Sequence, residues 1–435
     1  VVAYETKHLM ITKGAVKNIL DVCSSCAAQD ALGPDDHWKQ QALNQLDSFS
    51  ARGFRTIGIC SKDVTRDPLI NKDDESDMVF LGFILLSDPL KEGIAAVLEK
   101  LTAQKVDLKI ITGDNALIAG TIAAHIGIPS ERIISGSELH TLSDEALARK
   151  AQVMHVFAET EPSQKERIVR ALQRKGHVVG YIGDGINDAS ALKAADVGIS
   201  VQNAVDVAKE SADLILLEQN LQVILDGIAE GRKTYQNTLK YIFITISANF
   251  GNMFSMAGAS VFLPFLPLLP AQVLLSNFST DLPALAISSD EVDRELLAKP
   301  RRWNNRVIRN FMVIFGLESS LFDYLTFGVL VFFFHASEAV FQTGWFIETV
   351  VTEVCILLII RTRRSFFRSR ISRTLFWTSA LVVALVLVLP YLPFSSALGF
   401  TPLPTSVICG MVGIALAYAI VSEMTKRWFF RRMHY

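Results

Sequence analysis

The pattern of apolar positions changes near residue 240. Before this point, short continuous apolar runs alternate with stretches of helical periodicity. Such runs are typical of strands that are buried on both faces of a parallel sheet, and amphipathic helices cover such sheets. After this point, long apolar stretches are separated by short charged loops. We therefore predict a soluble α/β region followed by a membrane region.

The α/β region is predicted to contain two domains and a connecting helix. Residues 1–77 carry strand-like segments around a polar helical stretch, which indicates the C-terminal part of a separate α/β domain. Residues 78–218 are predicted to form a parallel-sheet domain with candidate strands at 79–86, 108–111, 153–157, 178–182 and 214–217. Ligands of such sheets bind at the carboxyl ends of the strands. Residues 219–240 are predicted to form a charged stalk helix.

The remaining residues, 241–435, are predicted to form an all-α membrane domain of six transmembrane helices. A helix needs about 20 residues to cross a hydrocarbon core of about 30 Å. The candidate spans are about 241–263, 271–289, 311–334, 342–360, 375–394 and 402–422. Lysine and arginine cluster in alternate loops and in the tail. The positive-inside rule then predicts a multi-pass protein of the cell membrane with the soluble region and the C-terminus in the cytoplasm.

Charge and cysteine content change this picture little. The formal net charge is -2, and the basic residues of the second half lie in its loops, so nothing indicates nucleic-acid binding. Cys23 and Cys26 form a lone C-x-x-C without a second pair or nearby histidines, which favours free thiols over a zinc or redox site. The chain begins without methionine or a signal segment, as expected for a fragment of a longer protein.

The segment Gly-Asp-Gly-Ile-Asn-Asp, residues 183–188, directly follows the candidate strand 178–182. Asp184 and Asp188 place two carboxylates four residues apart at a strand end, beside glycines that allow close backbone approach. This arrangement suits Mg²⁺ next to a phosphoryl group. A simple turn is the alternative, because Gly, Asn and Asp are common turn residues.

Two further motifs follow strands or begin helices of the same domain. Thr112, Gly113 and Asp114 open a helix, so their hydroxyl and backbone amides form a candidate anion site, with an ordinary helix cap as the alternative. Lys165 begins another helix and is a candidate for neutralising a phosphoryl oxygen, with a solvated surface lysine as the alternative. Asp88, at the end of the first candidate strand, is expected to line the same cleft.

In order and spacing, these motifs resemble the phosphorylation domain of P-type ATPases, which has a haloacid-dehalogenase-like (Rossmann-like) fold. The resemblance implies that Asp184 holds a catalytic Mg²⁺ and that Asn187 and Asp188 order the site. It also implies that Thr112 and Lys165 bind the transferred phosphoryl group. Phosphoryl transfer depends mainly on positioning and charge neutralisation, which these side chain types provide.

The preceding α/β segment resembles the nucleotide-binding domain of the same family. Lys13 and Gly14 look like its nucleotide motif and Arg55 like its ATP-contacting arginine, which implies ATP as the second cofactor. Two departures stand out. The segment Asp-Lys-Thr-Gly-Thr, which supplies the family's aspartate nucleophile, does not occur in this sequence, so we expect no phosphoenzyme from this chain alone. Glu159 occupies a position where the family usually has arginine.

Polar residues within the apolar spans are candidate ligands for a transported ion, because polar groups in a membrane are costly. Asn249 lies in the first span, Asn277 and Asp281 in the second, and Glu353 in the fourth. Their oxygens suit a hard cation, and Pro283 frees a backbone carbonyl in the same helix. Hydrogen bonding between helices is the alternative for Asn249 and Glu353. Further carboxylates of uncertain depth are Glu318, Asp323 and Glu348.

Several membrane segments resemble the bacterial magnesium-transporting group of P-type ATPases, at residues 247–252, 262–267, 341–346 and 360–364. The resemblance implies ATP-driven transport of a divalent cation, with Mg²⁺ as the leading substrate. ATP, the cation and the lipid bilayer are then the partners, without nucleic acid or an obligate protein partner.

The identity of the cation stays open at this point. Residues 280–284 look more like the calcium-pump pattern, and several carboxylates are unexpected for the magnesium group, so Ca²⁺ or another divalent cation is the alternative. Two other classes are a membrane-anchored phosphatase-like protein and a channel or sensor with a degenerate head. Asn277 and Asp281 argue against the first class, and the intact head motifs argue against the second.

Overall fold

The computed structural model describes residues 1–4, 7–27, 37–64, 74–87, 93–129, 132–218 and 220–433, without the side chains of residues 2–7. It divides into two compact units, Val1–Leu225 and Asp226–Tyr435. Asp88 lies outside the described residues.

A five-stranded sheet forms the first part of unit one. Its strands lie in the order β1-β2-β4-β5-β3, and all neighbours are antiparallel except β3 and β5. The helices α1 (Val16–Val22) and α2 (Trp38–Ala51) share a hydrophobic core with the sheet. The strands are β1 (Val2–Tyr4), β2 (Lys7–Ala15), β3 (Cys23–Cys26), β4 (Arg55–Asp63) and β5 (Met78–Leu86).

The cysteines of the C-x-x-C lie within this core. Cys23 and Cys26 are buried free thiols, as is Cys60 on the neighbouring strand. Burial raises the pKa of the Cys23 thiol to about 12 and also raises the pKa of Cys60. Cys23 and Cys60 are therefore protonated at neutral pH and unreactive.

The prediction that residues 79–86 begin the parallel sheet is wrong. β5 pairs antiparallel with β4, from Arg55 opposite Leu86 to Ser61 opposite Val79. The first sheet therefore extends beyond the boundary expected at residue 77. A continuous apolar run identifies a buried strand, but it does not identify the strand with which it pairs.

Six parallel strands form the rest of unit one in two groups of three. Their orders are β6-β8-β7 and β11-β10-β9. Ile111 and Val179 pack against the cores of both groups, so the two groups are joined by shared side chains. The strands are β6 (Ile110–Ile111), β7 (Ile133–Ser135), β8 (Val156–Ala158), β9 (Gly180–Ile182), β10 (Val197–Val201) and β11 (Leu214–Leu216).

Short helices connect these strands, and the prediction of a parallel α/β sheet in this region is confirmed. β7 and β10 were absent from the candidate strands, because β7 is only three residues long and β10 contains Gly198 and Ser200. The helices are α3 (Ile94–Ala103), α4 (Ala116–His125), α5 (Gly136–Thr141), α6 (Asp144–Val153), α7 (Pro162–Arg174), α8 (Ala189–Ala194) and α9 (Asp206–Ser211).

The second unit is helical. Its helices are α10 (Leu221–Phe262, which begins just before the unit), α11 (Pro270–Ala286), α12 (Arg294–Leu297), α13 (Asn305–Gly328), α14 (Glu338–Ile360), α15 (Arg373–Val388) and α16 (Thr405–Arg432). A π-helical turn, Val329–Phe333, continues α13.

In the described part of the chain, four helices are long and apolar enough to cross a membrane: 305–333, 338–360, 373–391 and 405–432. α14 is the central one, since 78% of its most apolar stretch is buried, against 28–39% in the other three. The first two predicted spans correspond to the second half of α10 and to α11. α11 has 17 residues and α10 carries several polar side chains, so neither meets the same length and hydropathy criteria.

A buried ion-pair cluster around Asp290 ties the helices of this unit together. The Asp290 side chain is fully buried and accepts hydrogen bonds from Lys240 at 2.8 Å and from Arg361 at 3.4 Å. Its carboxylate also accepts a hydrogen bond at 3.3 Å from the backbone N–H of Ser372, the N-cap of α15. Asn237 donates to the Asp290 carbonyl at 3.0 Å. One carboxylate thus links α10, α14 and α15.

We predict that Asp290→Asn destabilises this unit by about 3–5 kcal/mol, because it leaves two buried cations without their counter-charge. Thermal unfolding of the purified chain in detergent measures this. Glu295→Gln is the matched control, since the side chains of the Glu295–Arg364 pair are 67% and 46% exposed and such pairs contribute less than about 1 kcal/mol. Equal effects of both substitutions would contradict the prediction.

Candidate active site and cation pocket

The loop of residues 183–188 follows β9 and is organised around Asp188. Asp188 Oδ1 accepts hydrogen bonds from Lys165 Nζ and Tyr181 Oη, both at 2.8 Å. Asp188 Oδ2 accepts one from the Gly185 N–H at 3.1 Å. Burial by itself raises the pKa of Asp188, but the hydrogen bonds from Lys165 and Tyr181 outweigh burial, and the net effect is a lowered pKa. Asp188 is therefore an ionised and fixed carboxylate.

Asp184 and Asn187, from the same loop, are exposed, whereas Asp188 is only 8% exposed. Because three donors engage the Asp188 carboxylate, the geometry favours a positioning role for it and leaves Asp184 as the accessible ligand. Within the described residues, no group of three His, Cys, Asp or Glu side chains is placed to hold a metal. One accessible carboxylate fits Mg²⁺, which keeps several waters and also binds phosphate oxygens.

The loop Thr112–Asn115 follows β6 and leads into α4. Thr112 Oγ1 donates a hydrogen bond to Asp114 Oδ2 at 3.0 Å and accepts one from Asp114 N–H at 3.1 Å. Asn115 is the N-cap of α4, because its Oδ1 accepts a hydrogen bond from Leu117 N–H at 2.8 Å. The cap is thus Asn115 and not the threonine. Gly113 between them is exposed.

Lys165 lies in the first turn of α7, whose N-terminal loop contacts Thr112. Thr160 donates two hydrogen bonds to the Thr112 carbonyl, from its N–H at 3.0 Å and from its Oγ1 at 2.9 Å. Pro162 occupies the first turn of α7, where the absence of an N–H costs nothing, and this fixes where the helix begins. Through this helix the structure connects the Thr112 loop to Lys165 and hence to Asp188.

Thr160 and Tyr181 are two site residues that the sequence analysis did not identify. Tyr181 lies within β9, where an aromatic residue is expected simply to pack. Glu159 is a third. Its φ of +55° is unusual for a residue other than glycine, and its Oε1 accepts a hydrogen bond from the Ala116 N–H at 3.5 Å at the start of α4. Glu159 therefore links the end of β8 to the first turn of α4.

The candidate ATP contacts lie on the antiparallel sheet. Lys13 on β2 is opposite Ile59 on β4, and Arg55 lies four residues before Ile59. Because side chains alternate along a strand, Lys13 and Arg55 share one face of the sheet. Both are exposed, whereas Gly14 faces Ile19 on the opposite, core-covered side.

A cavity of about 240 Å³ lies among α10, α11 and α14 of the second unit. It is lined by all four predicted ion ligands: Asn249 from α10, Asn277 and Asp281 from α11, and Glu353 from α14. The hydroxyl-bearing residues Thr245 and Thr280 also line it. The polar side chains of three helices therefore converge on one space.

One of the four predicted ion ligands, Glu353, also forms a hydrogen bond between helices. Asn252 Nδ2 donates to Glu353 Oε1 at 2.5 Å, so Glu353 both joins two helices and lines the cavity. Asn249 lines the cavity, whereas Asn252 does not. Pro283 in α11 also lines the cavity and has no N–H, so it cannot bond the carbonyl of Ser279.

We predict that Gly183→Ala disrupts the active-site loop, whereas Gly185→Ala leaves it intact. A Cβ at Gly183 would lie 2.5 Å from the Asp188 Cβ and 2.8 Å from its Cγ, so Asp188 must move. A Cβ at Gly185 meets no atom closer than 3.4 Å. Hydrogen exchange of the backbone amide at position 185, which is bonded to Asp188, measures the difference.

The expected result is faster exchange in Gly183→Ala by about tenfold or more, which corresponds to about 1.4 kcal/mol or more of lost local protection. In the Gly185→Ala variant, the same backbone amide is expected to keep the protection of the parent chain. Unchanged exchange in Gly183→Ala would show that Asp188 does not hold this loop.

The parallel sheet, the strand-end carboxylates and the Lys165–Asp188 pair are the features of a haloacid-dehalogenase-like domain. Family models agree: "haloacid dehalogenase-like hydrolase" matches residues 61–196, "P-type ATPase, cytoplasmic domain N" matches residues 2–93, and "Cation transporting ATPase, C-terminus" matches residues 265–428.

The chain is also similar to curated proteins that are named as cation-transporting ATPases. It is 42% identical over 99% of its length to "Magnesium-transporting ATPase, P-type 1" of Escherichia coli K12, and 41% identical over 98% to the protein of that name in Salmonella typhimurium 14028s. These alignments cover 49% and 48% of the relatives. Identity is 31% over 78% of the chain to "Calcium-transporting ATPase 1" of Bacillus cereus, covering 38% of that relative. The chain belongs to the P-type ATPases and spans about half the length of the curated relatives it matches.

Proposed function

We propose that this chain forms the catalytic and ion-binding part of an ATP-driven divalent cation pump, with Mg²⁺ as the leading substrate. One observation carries the proposal: oxygen-bearing side chains of three helices line a single cavity in the helical unit. An anchored phosphatase would not need such a cavity. The magnesium-transporting relatives, at 41–42% identity, support the same substrate class.

In the head, Lys165 and the Thr112 loop are proposed to hold the transferred phosphoryl group. Asp188 orients Lys165 through their hydrogen bond of 2.8 Å. Asp184 would hold the catalytic Mg²⁺, which supplies charge neutralisation at the phosphoryl oxygens when bound. Lys13 and Arg55, on one face of the first sheet, are proposed ATP contacts.

The proposed cycle needs an aspartate nucleophile. The segment Asp-Lys-Thr-Gly-Thr is absent from residues 1–435, so we propose that phosphoenzyme formation requires the full-length gene product. The strands that precede the two motif loops, β6 and β9, are each paired on one side within the described residues.

In the membrane, we propose six crossings. The four apolar helices supply four of them, and the second half of α10 and α11 supply two more, because they line the cation cavity together with α14. The basic loops and tail then place the head and the C-terminus in the cytoplasm. The polar residues that line the cavity lower the mean hydropathy of α10 and α11.

Mg²⁺ and Ca²⁺ are both compatible with an all-oxygen cavity. Asp281 and Glu353 supply two carboxylates, whose charge matches one divalent cation. Ca²⁺ accepts more protein oxygens, whereas Mg²⁺ keeps several waters. A cavity of about 240 Å³ has room for a partly hydrated ion, which agrees with Mg²⁺ as the leading substrate and Ca²⁺ as the alternative.

We predict that Asp281→Asn in the full-length gene product reduces cation-stimulated ATPase activity at least about tenfold, since it removes half the negative charge of the cavity. Titrating Mg²⁺, Ca²⁺ and Mn²⁺ against ATP hydrolysis measures this and ranks the ions. Glu291→Gln is the control, because Glu291 is an exposed carboxylate outside the cavity. Unchanged cation stimulation in Asp281→Asn would rule out the proposed ion site.

A further inference from the structure

A second pair of acidic side chains lies inside the helical unit, outside the lining of the cation cavity. Asp323 of α13 is 3% exposed and Glu348 of α14 is 2% exposed. Trp345 on α14 donates to Asp323, and Glu348 lies three residues later on the same face of that helix, so the two acidic side chains are neighbours. Both residues are among the further carboxylates of the apolar spans, and both lie in the interior of the unit.

Asp323 is solvated by fixed donors from two other helices. Ser255 Oγ on α10 donates to Asp323 Oδ2 at 2.6 Å, and Trp345 Nε1 on α14 donates to Asp323 Oδ1 at 2.9 Å. Ser255 is fully buried and Trp345 is 1% exposed. Each carboxylate oxygen therefore has its own buried donor, an arrangement that stabilises the ionised form of Asp323.

Glu348 lacks such support. Its Oε2 is buried and has no hydrogen-bond partner among the described residues. An ionised Glu348 would place a second negative charge beside Asp323 in a desolvated interior, with one oxygen unpaired, which is strongly unfavourable.

Across the described part of the chain, no Lys, Arg or His forms an ion pair with either carboxyl group. The other titratable side chain that acts on the pair, Glu353 on α14, is itself an acid. A proton or a bound cation must therefore compensate the second charge.

The local donors favour the proton. An indole N–H is a donor only, so Trp345 cannot ligate a cation, and its N–H points at the oxygen that a cation would need. A proton on Glu348 instead creates an O–H that can donate to Asp323. The same proton removes the second charge.

We propose that Asp323 and Glu348 form a proton-binding site in the interior of the helical unit, in which Glu348 carries the proton and donates it in a hydrogen bond to ionised Asp323. The site is adjacent to the cation cavity along α10, because Asn252 contacts Glu353 and Ser255, three residues later, contacts Asp323. Residues three apart share a helix face. The proposal goes beyond cation transport and does not depend on it.

Infrared spectroscopy of the purified chain in detergent near neutral pH tests this site without ATP or a transported ion. Glu348→Gln is expected to remove one carboxylic-acid C=O stretching band from the spectrum. Glu338→Gln is the matched control, because Glu338 lies at the exposed start of the same helix and is expected to remove carboxylate absorption only.

A second variant keeps the test decisive if Glu348→Gln does not fold. Asp323→Asn is expected to shift the acid band to higher frequency, because an amide oxygen accepts a weaker hydrogen bond than a carboxylate. The proposal is overturned if Glu348→Gln removes carboxylate absorption and leaves the acid region unchanged. It is equally overturned if the parent chain has no acid band that either variant alters.

Discussion

The hydrogen-bonded ion pair of Lys165 and Asp188 is the contact on which the head's site depends. It joins two loops that are far apart in sequence: one begins α7 and contacts Thr112, and the other follows β9 and carries Asp184. The two side chains are 12% and 11% exposed, so solvent screens the pair little. Without it, the buried Asp188 carboxylate would lose its cationic partner, and Lys165 would be free to leave the cleft.

The helical unit also contains buried carboxylates whose charge must be compensated. Asp290 is matched by two cations, so its charge is compensated and it holds three helices. Within the described residues, Asp323 and Glu348 have no cationic partner, and the proposed proton takes that place. Asp281 and Glu353 line open space, where a substrate ion is able to supply the missing charge. The three groups of acids therefore differ in what compensates their charge: protein cations at Asp290, a proton at Asp323 and Glu348, and open space at Asp281 and Glu353. Of these three groups, the one that lines the cavity is suited to exchange a metal ion.

Much of this arrangement was predictable because it follows from local rules. Strand-end motifs mark the edge of a parallel sheet, which is why Thr112 and Asp184 were expected to lie near one cleft. Polar side chains in apolar spans indicated Asn277, Asp281 and Glu353 before the cavity was seen.

One prediction was wrong and several contacts were not predicted, because a single segment does not contain the necessary information. The partner of strand 79–86 is decided by the antiparallel ladder to β4, which no local pattern encodes. The role of Asp188 depends on donors from Lys165 and Tyr181, which periodicity cannot reveal. Asp323 and Glu348 were visible as carboxylates, but their mutual contact requires the packing of α13 on α14.

We propose that phosphate chemistry in the head drives a divalent cation through the helical unit. ATP-dependent cation flux across vesicles that contain the full-length gene product, with ATP hydrolysis followed in the same sample, tests this coupling. Flux and hydrolysis are expected to occur together, and Asp184→Asn is expected to abolish both. Sustained hydrolysis without any movement of Mg²⁺, Ca²⁺ or Mn²⁺ would contradict the proposal and would indicate a membrane-anchored phosphatase instead.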